Sequence, residues 1–188
     1  KSRLWWLALA LLCLLCLLPA RYAHADDWHA SLYNEGLPPH LVAVDKKRQT
    51  FMFFEKKSPL KLRYVYPCTT GQLPGDKKVL NDLRTPEGIY FVEYKIDRGL
   101  DFKEYGGIAY TLNYPNPVDK LRGKTGHGIW IHSKGLGIEP LATRGCVAIG
   151  LKEIDEVGPR LVPGTAVVLA EALDETAVPR PDTGTARE

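Results

Sequence analysis

The sequence is poor in the residues that build metal centres and covalent frameworks. It holds four cysteines and five histidines in 188 residues. Beyond residue 25 it contains no Cys-x-x-Cys, no His-x-x-x-His and no His-Glu pair. Metal sites need such clustered ligands, so no metal and no cofactor is expected. No internal repeat is present. No apolar run reaches the roughly 20 residues of a membrane-spanning helix; the longest is Leu4–Leu18. A surplus of positive charge is also lacking. Residues 1–25 carry Lys1, Arg3 and Arg21 and no acid, and without them 22 Lys and Arg face 22 Asp and Glu. The small net charge therefore belongs to the N-terminal segment, and no nucleic-acid partner is implied. With 45% hydrophobic and 25% charged residues, wholesale disorder is not indicated. The length suits one domain with its own core.

Lys1–Ala25 reads as a secretory signal peptide: a basic start, the apolar run, then Ala23-His-Ala25 as a cleavage site. An uncleaved membrane anchor is the alternative reading. Cys16 follows the bulky Leu15, which does not suit lipidation. Removal of the signal takes Cys13 and Cys16 with it and leaves Cys68 and Cys146. In an exported protein such a pair invites a disulfide. The simpler reading makes Cys68 a small buried strand residue and leaves Cys146 free.

What is present is organised around two segments, Ile129–Ser133 and Thr143–Val147, which set His132 and Cys146 apart by 13 residues. A thiol is a nucleophile only as thiolate, and a neighbouring imidazole promotes that state and later returns a proton to the leaving group. Gly145 lets the backbone turn tightly beside Cys146 and aim its N–H groups, with that of Cys146, at a developing oxyanion. His132 follows the apolar Ile129-Trp130-Ile131, a rigid strand mount for a base. His127, between Gly126 and Gly128, sits on a flexible turn and is the reserve base. Arg144 either forks onto a substrate carboxylate or holds its loop by a salt bridge. Thr143 is a candidate for hydrogen-bonding the turn.

His, a spacer, then Thr143-Arg-Gly-Cys-Val147 resembles the catalytic motif of the L,D-transpeptidase (YkuD-type) family. Thr70-Gly71, Thr85-Pro-Glu-Gly88 and the closing Val162-Pro-Gly-Thr165 with Val167-Val-Leu169 are similar to other segments of that family, in the same order over Leu41–Ala170. Tyr114-Pro-Asn116 with Asp119 is similar to a segment of a murein-directed subgroup, although Pro-Asn-Pro is also a plain turn signal. Arg144 stands where the family often has His, Ala148 where it often has Asn or Arg, and Ser133 where Gly most often follows the histidine. The resemblance implies a β-sandwich-like catalytic domain with His132 and Cys146 at a cleft. It also implies that the Ser133 carbonyl orients His132, an acidic side chain such as Glu139 being the alternative.

The expected elements are mainly β. Leu41–Val44 and Thr50–Phe54 form a hairpin, and Leu60–Tyr66 alternates as a half-buried strand. Ile89–Lys95, Ile108–Leu112, Ile129–Ile131 and Thr165–Ala170 supply further strands. Asp97–Tyr105 is a loop or short helix. One helix follows the cysteine over Leu151–Gly158, with Glu153, Asp155 and Glu156 solvated. The long polar connection Thr69–Thr85 suits a site wall. Its Lys77 and Lys78 read either as a solvated turn or as partners for a substrate carboxylate. Residues 26–40 are expected as an N-terminal arm, 41–170 as the catalytic domain and 171–188 as a disordered tail.

The implied activity is exported, in the periplasm or cell envelope: transfer of a peptidoglycan stem peptide through a Cys146 thioester to an amine acceptor, possible acceptors including another stem or an envelope protein. Hydrolysis of the same peptides and a noncatalytic wall-binding module are the alternatives.

Overall fold

Strands β1 (His40–Asp45) and β2 (Thr50–Glu55) carry near-continuous apolar runs because both of their faces are covered. Val42, Val44, Phe51 and Phe53 face one cluster, while Leu41, Ala43, Met52 and Phe54 face a second. The two strands pair antiparallel with Val42 opposite Phe53. The computed structural model describes residues 36–57, 59–135 and 137–174. The expected signal peptide, residues 26–35 of the arm and residues 175–188 of the tail lie outside the described residues.

β3 (Lys61–Pro67) lies antiparallel on β2 and alternates as its sequence requires: Leu62 is buried and Tyr64 and Tyr66 are half-buried, while Lys61, Arg63 and Val65 are exposed. The two tyrosines stack at 5.7 Å and pack against the core. The remaining strands are β4 (Gly88–Ile96), β5 (Ala109–Leu112), β6 (Trp130–Ser133), β7 (Val147–Ile149) and β8 (Ala166–Ala170). Their order across the sheet is β3-β2-β1-β8-β4-β5-β6-β7. β8, last in sequence, is inserted parallel to β1 and antiparallel to β4. β6 and β7 are also parallel.

Residues from both ends of this order share one core. Phe51 and Phe53 of β2 join Val147 and Ile149 of β7, together with Tyr90, Tyr110, Ile131 and Val167. The sheet therefore curls around its own apolar face, which is the mainly-β, sandwich-like architecture expected. Among the described residues no helix is long and apolar enough to cross a membrane.

The helix content needs correction. Among the described residues, α1 (Phe102–Tyr105) takes the short-helix alternative read for Asp97–Tyr105, and α3 (Leu151–Val157) is the expected helix after the cysteine; the helix not expected is α2 (Pro117–Leu121). α2 forms where the proline pair suggests only a turn. Asn116 accepts from the Asp119 N–H, the Asp119 carboxylate accepts from the Asn116 N–H, and Pro117 opens the helix. α3 buries Ile154 and Val157 and continues into a 3-10 turn at Gly158–Arg160. Glu156 is exposed, as expected, and accepts from the Tyr66 hydroxyl at 2.6 Å. The beginning of the expected tail is fastened down. Glu171 lies 3.4 Å from the Lys46 ammonium, and the Leu173 N–H donates to Asp45.

Candidate active site

Parallel pairing of β6 with β7 brings the two chemical segments together. Ile131 stands opposite Val147 and His132 opposite Ala148, so Cys146, immediately before β7, begins one residue short of the ladder beside Trp130. His132 is 1% exposed. Its Nδ1 lies 2.7 Å from the Ser133 carbonyl oxygen. A carbonyl can only accept, so Nδ1 carries the proton and a neutral ring keeps Nε2 as its acceptor. Glu139, the other candidate for orienting the ring, lines an adjoining cavity instead. The Tyr105 ring meets His132 edge-on at 5.1 Å and tilts against Trp130 at 5.4 Å.

Two threonine hydroxyls hold the peptide of Cys146. Thr143 Oγ1 donates to the Cys146 carbonyl at 2.8 Å and accepts from the Gly145 N–H at 3.1 Å. Thr85 Oγ1 donates to the same carbonyl at 3.4 Å and accepts from the Gly71 N–H at 2.9 Å. The segments Thr70-Gly71 and Thr85-Pro86, distant in sequence, thus meet at the loop that carries Cys146. Thr69 exchanges backbone bonds with Ala148, and Thr70 and Gln72 bracket Thr143. Gly145 has φ +134°, and a Cβ there would sit 2.8 Å from the Arg84 carbonyl oxygen. Both conditions require glycine. Because its N–H is turned onto Thr143, Gly145 differs from the expected arrangement in which it and Cys146 both point at an oxyanion.

The thiol faces a pocket of about 420 Å³ lined by Gln72, Glu104, Tyr105, His132, Lys134, Ala142, Thr143, Arg144 and Cys146. Burial pushes the Cys146 thiol up to about 11, opposed by a hydrogen bond from the Trp130 backbone; the nearby Glu104 anion adds to the rise and Lys77 counters it. Burial also lowers His132, against the Ser133 hydrogen bond and Glu104, which raise it. Both shifts favour the neutral forms of the two groups, and the thiol donates to the Gly128 carbonyl at 3.4 Å.

Cys68 and Cys146 are both free. Cys68 sits directly after β3, 2% exposed. Arg144 is exposed at the pocket rim and makes no ion pair among the described residues. Ser133 is buried in β6 and reaches the site through its carbonyl alone. His127 is exposed and does not line the pocket. Tyr114 and Asn116 do not line it either. Tyr114 is a core residue whose hydroxyl donates to the Thr125 carbonyl, and Asn116 caps α2 and donates to the Ile89 carbonyl. Lys77 is neither solvated nor open to a ligand: it is buried on Asp82 at 2.6 Å. Among the described residues no three His, Cys, Asp or Glu side chains gather as a metal site. The sequence reading missed Glu104, Lys134 and Gln72. The one signal for Gln72 was the unusual length of its connection; Glu104 and Lys134 carry none.

The fold recurs in solved proteins. The structure of Bd1075 from Bdellovibrio bacteriovorus aligns at 29% identity and TM-score 0.65, covering 76% of this chain and 51% of that one. Pgp2, a helical cell shape determining protein from Campylobacter jejuni, aligns at 28% and 0.64, covering 79% and 56%. An L,D-transpeptidase from Xylanimonas cellulosilytica shares the fold at 15% identity and TM-score 0.50, covering 72% and 62%. The chain thus spans about half the length of the first two. No curated protein matches the sequence. The profile of the L,D-transpeptidase catalytic domain, YkuD, matches residues 39–169, from the residue before β1 to the penultimate residue of β8, and the chain belongs to that family.

Proposed function

We propose that this domain is an exported cysteine acyltransferase that acts on peptidoglycan stem peptides through a Cys146 thioester. The observation that carries the reading is the convergence of Cys146 and a tautomer-fixed His132 on one pocket. With the neutral forms of both groups favoured, His132 acts as general base during attack rather than as half of a standing ion pair. Cys146 Sγ bonds to the amide carbonyl carbon while its proton passes to His132 Nε2. The oxyanion is held by the Cys146 N–H, since the Gly145 N–H is engaged by Thr143. Collapse breaks the C–N bond, and the leaving amine takes the proton from His132. An incoming amine then displaces the thioester and restores the thiol, giving a new cross-link or attachment to an envelope protein. Arg144, unpaired at the rim, receives a substrate carboxylate.

Membership of the family supports the substrate class. The basic, apolar and Ala-x-Ala pattern of Lys1–Ala25 supports export to the periplasm or envelope. The likeness to a cell shape determining protein supports a role in shaping the wall. The test incubates purified protein and its Cys146→Ala form with diaminopimelate-containing tetrapeptide muropeptides, with products read by mass. Dimers or exchanged terminal D-residues, absent with the variant, are the expected result. Shortened stems without dimers would make it a hydrolase, and no change across several stem lengths would leave a noncatalytic wall-binding module.

A further inference from the structure

The pocket at Cys146 adjoins a smaller cavity of about 210 Å³, lined by Lys103, Glu104, Lys134, Gly137, Glu139 and Ala142. Glu104, Lys134 and Ala142 line both, so one pair of opposite charges forms the shared wall. Its position is set by backbone packing. Asp101 caps α1 through the Glu104 N–H, and the Gly135 N–H donates to the Lys103 carbonyl. A Cβ on Gly106 would collide with Ser133, and one on Gly135 with Phe102. Glycine at both places lets α1 lie close against β6 and the loop after it.

The pair itself is loose. Lys134 Nζ stands 3.8 Å from Glu104 Oε2, beyond hydrogen-bond length, and the side chains are 18% and 49% exposed. Lys134 spends a donor on the Ala142 carbonyl at 3.3 Å instead. An ion pair at that separation with one member half exposed contributes little to stability, so parting it costs little. A ligand end bearing both charges replaces each partner with a full hydrogen-bonded one. An end bearing one charge meets attraction from one member and repulsion from the other, which is discrimination by attraction and repulsion together.

We propose that Glu104 and Lys134 form a specificity site for an α-ammonium carboxylate, Glu104 taking the ammonium and Lys134 the carboxylate. The proposal rests on the acyl-transfer reading and names what that site selects. Two sources offer this chemistry: the side-chain end of a diamino diacid in the donor stem, or a free amino acid that accepts the acyl group. Glu104 and Lys134 line the same pocket as Cys146 and His132, so either ligand is held beside the reacting atoms.

The experiment measures binding to the Cys146→Ala protein by calorimetry, which keeps it independent of turnover. One arm uses a tripeptide ending in meso-diaminopimelate, the same peptide ending in lysine, and the same peptide with the diaminopimelate side-chain amine acetylated. The other arm uses D-alanine, D-alaninamide and N-acetyl-D-alanine. In at least one arm the zwitterion binds about tenfold more tightly than either singly charged relative, and the arm that does so identifies the source. Glu104→Gln then erases the preference over the carboxylate-only ligand, and Lys134→Gln the preference over the ammonium-only ligand, with melting temperatures unchanged. Equal binding within both arms, no binding in either, or uniform weakening of all ligands by both variants would overturn the proposal. Selective binding without muropeptide turnover by the wild type would sink only the acyl-transfer reading, and turnover with unselective binding only this one.

Discussion

The two walls of the pocket are built on opposite principles. On one side, the Thr69–Thr85 connection is tied down by buried cations. Lys77 is paired with Asp82 at 2.6 Å and Lys124 with Asp76 at 2.8 Å, while Lys46 donates to the Gly75 carbonyl and pairs with Glu87. Threonine hydroxyls then connect this wall to the Cys146 carbonyl. On the other side, Glu104 and Lys134 face one another across 3.8 Å, with Glu104 half in solvent and Lys134 mostly covered. The walls also act oppositely on the thiol: Lys77 favours the thiolate and Glu104 disfavours it. A site that aims a nucleophile needs one face that does not yield, while a face that receives a charged ligand gains from partners that separate cheaply.

The largest effect is expected at Lys124. It is buried and shared between Asp76 and the equally buried Asp119. Lys124→Met leaves those carboxylates uncompensated and should cost about 3–5 kcal/mol in urea denaturation; a loss below about 1 kcal/mol would show the wall does not depend on its ion pairs. Thr143→Val keeps the shape but strands the Gly145 N–H and weakens the hold on the Cys146 carbonyl. The expected cost is about 1–3 kcal/mol, accompanied by slower turnover, and unchanged turnover would break the link between this wall and aim.

The next effect is a pH dependence. Burial by itself would raise the Asp82 carboxyl, but hydrogen bonds from Lys77 and from the Lys78, Val79 and Arg84 N–H groups hold it down to about 2. A depressed carboxylate stabilises the fold above its unfolded value near 3.9, and that contribution is lost as pH falls toward 2. Wild type should therefore lose about 2 kcal/mol across that window that Asp82→Asn does not. Glu104→Gln should be smallest: at most about 1 kcal/mol in stability. Removing its charge lowers the Cys146 thiol, so alkylation by iodoacetamide at pH 8 should quicken. Slower alkylation would contradict the opposing influence of the two walls.

Much of this architecture was legible beforehand. β3 alternates in sequence as it does in space, and α3 presents Ile154 and Val157 inward at the spacing that marked it. β7 was absorbed into the Gly-Cys motif because three residues are too few to show a period. The capping box of α2, Asn116 with Asp119, was readable but was masked by the flanking prolines. Tyr114 and Asn116 could be noticed but not placed, since a residue that caps a helix and one that contacts a ligand can share the same local sequence.

By itself the sequence determined what depends on neighbours along the chain: the strand periods, the turns, and the motif segments that single out His132 and Cys146 as candidates. Tertiary structure alone decided which distant groups surround them. Nothing local states that Thr85 reaches the Cys146 carbonyl, that Lys77 is buried on Asp82, or that Glu104 on α1 shares a wall with Lys134 after β6. Those contacts arise because the sheet inserts β8 between β1 and β4 and sets β6 parallel to β7. The charge a half-buried thiol experiences is a sum over space, not over sequence.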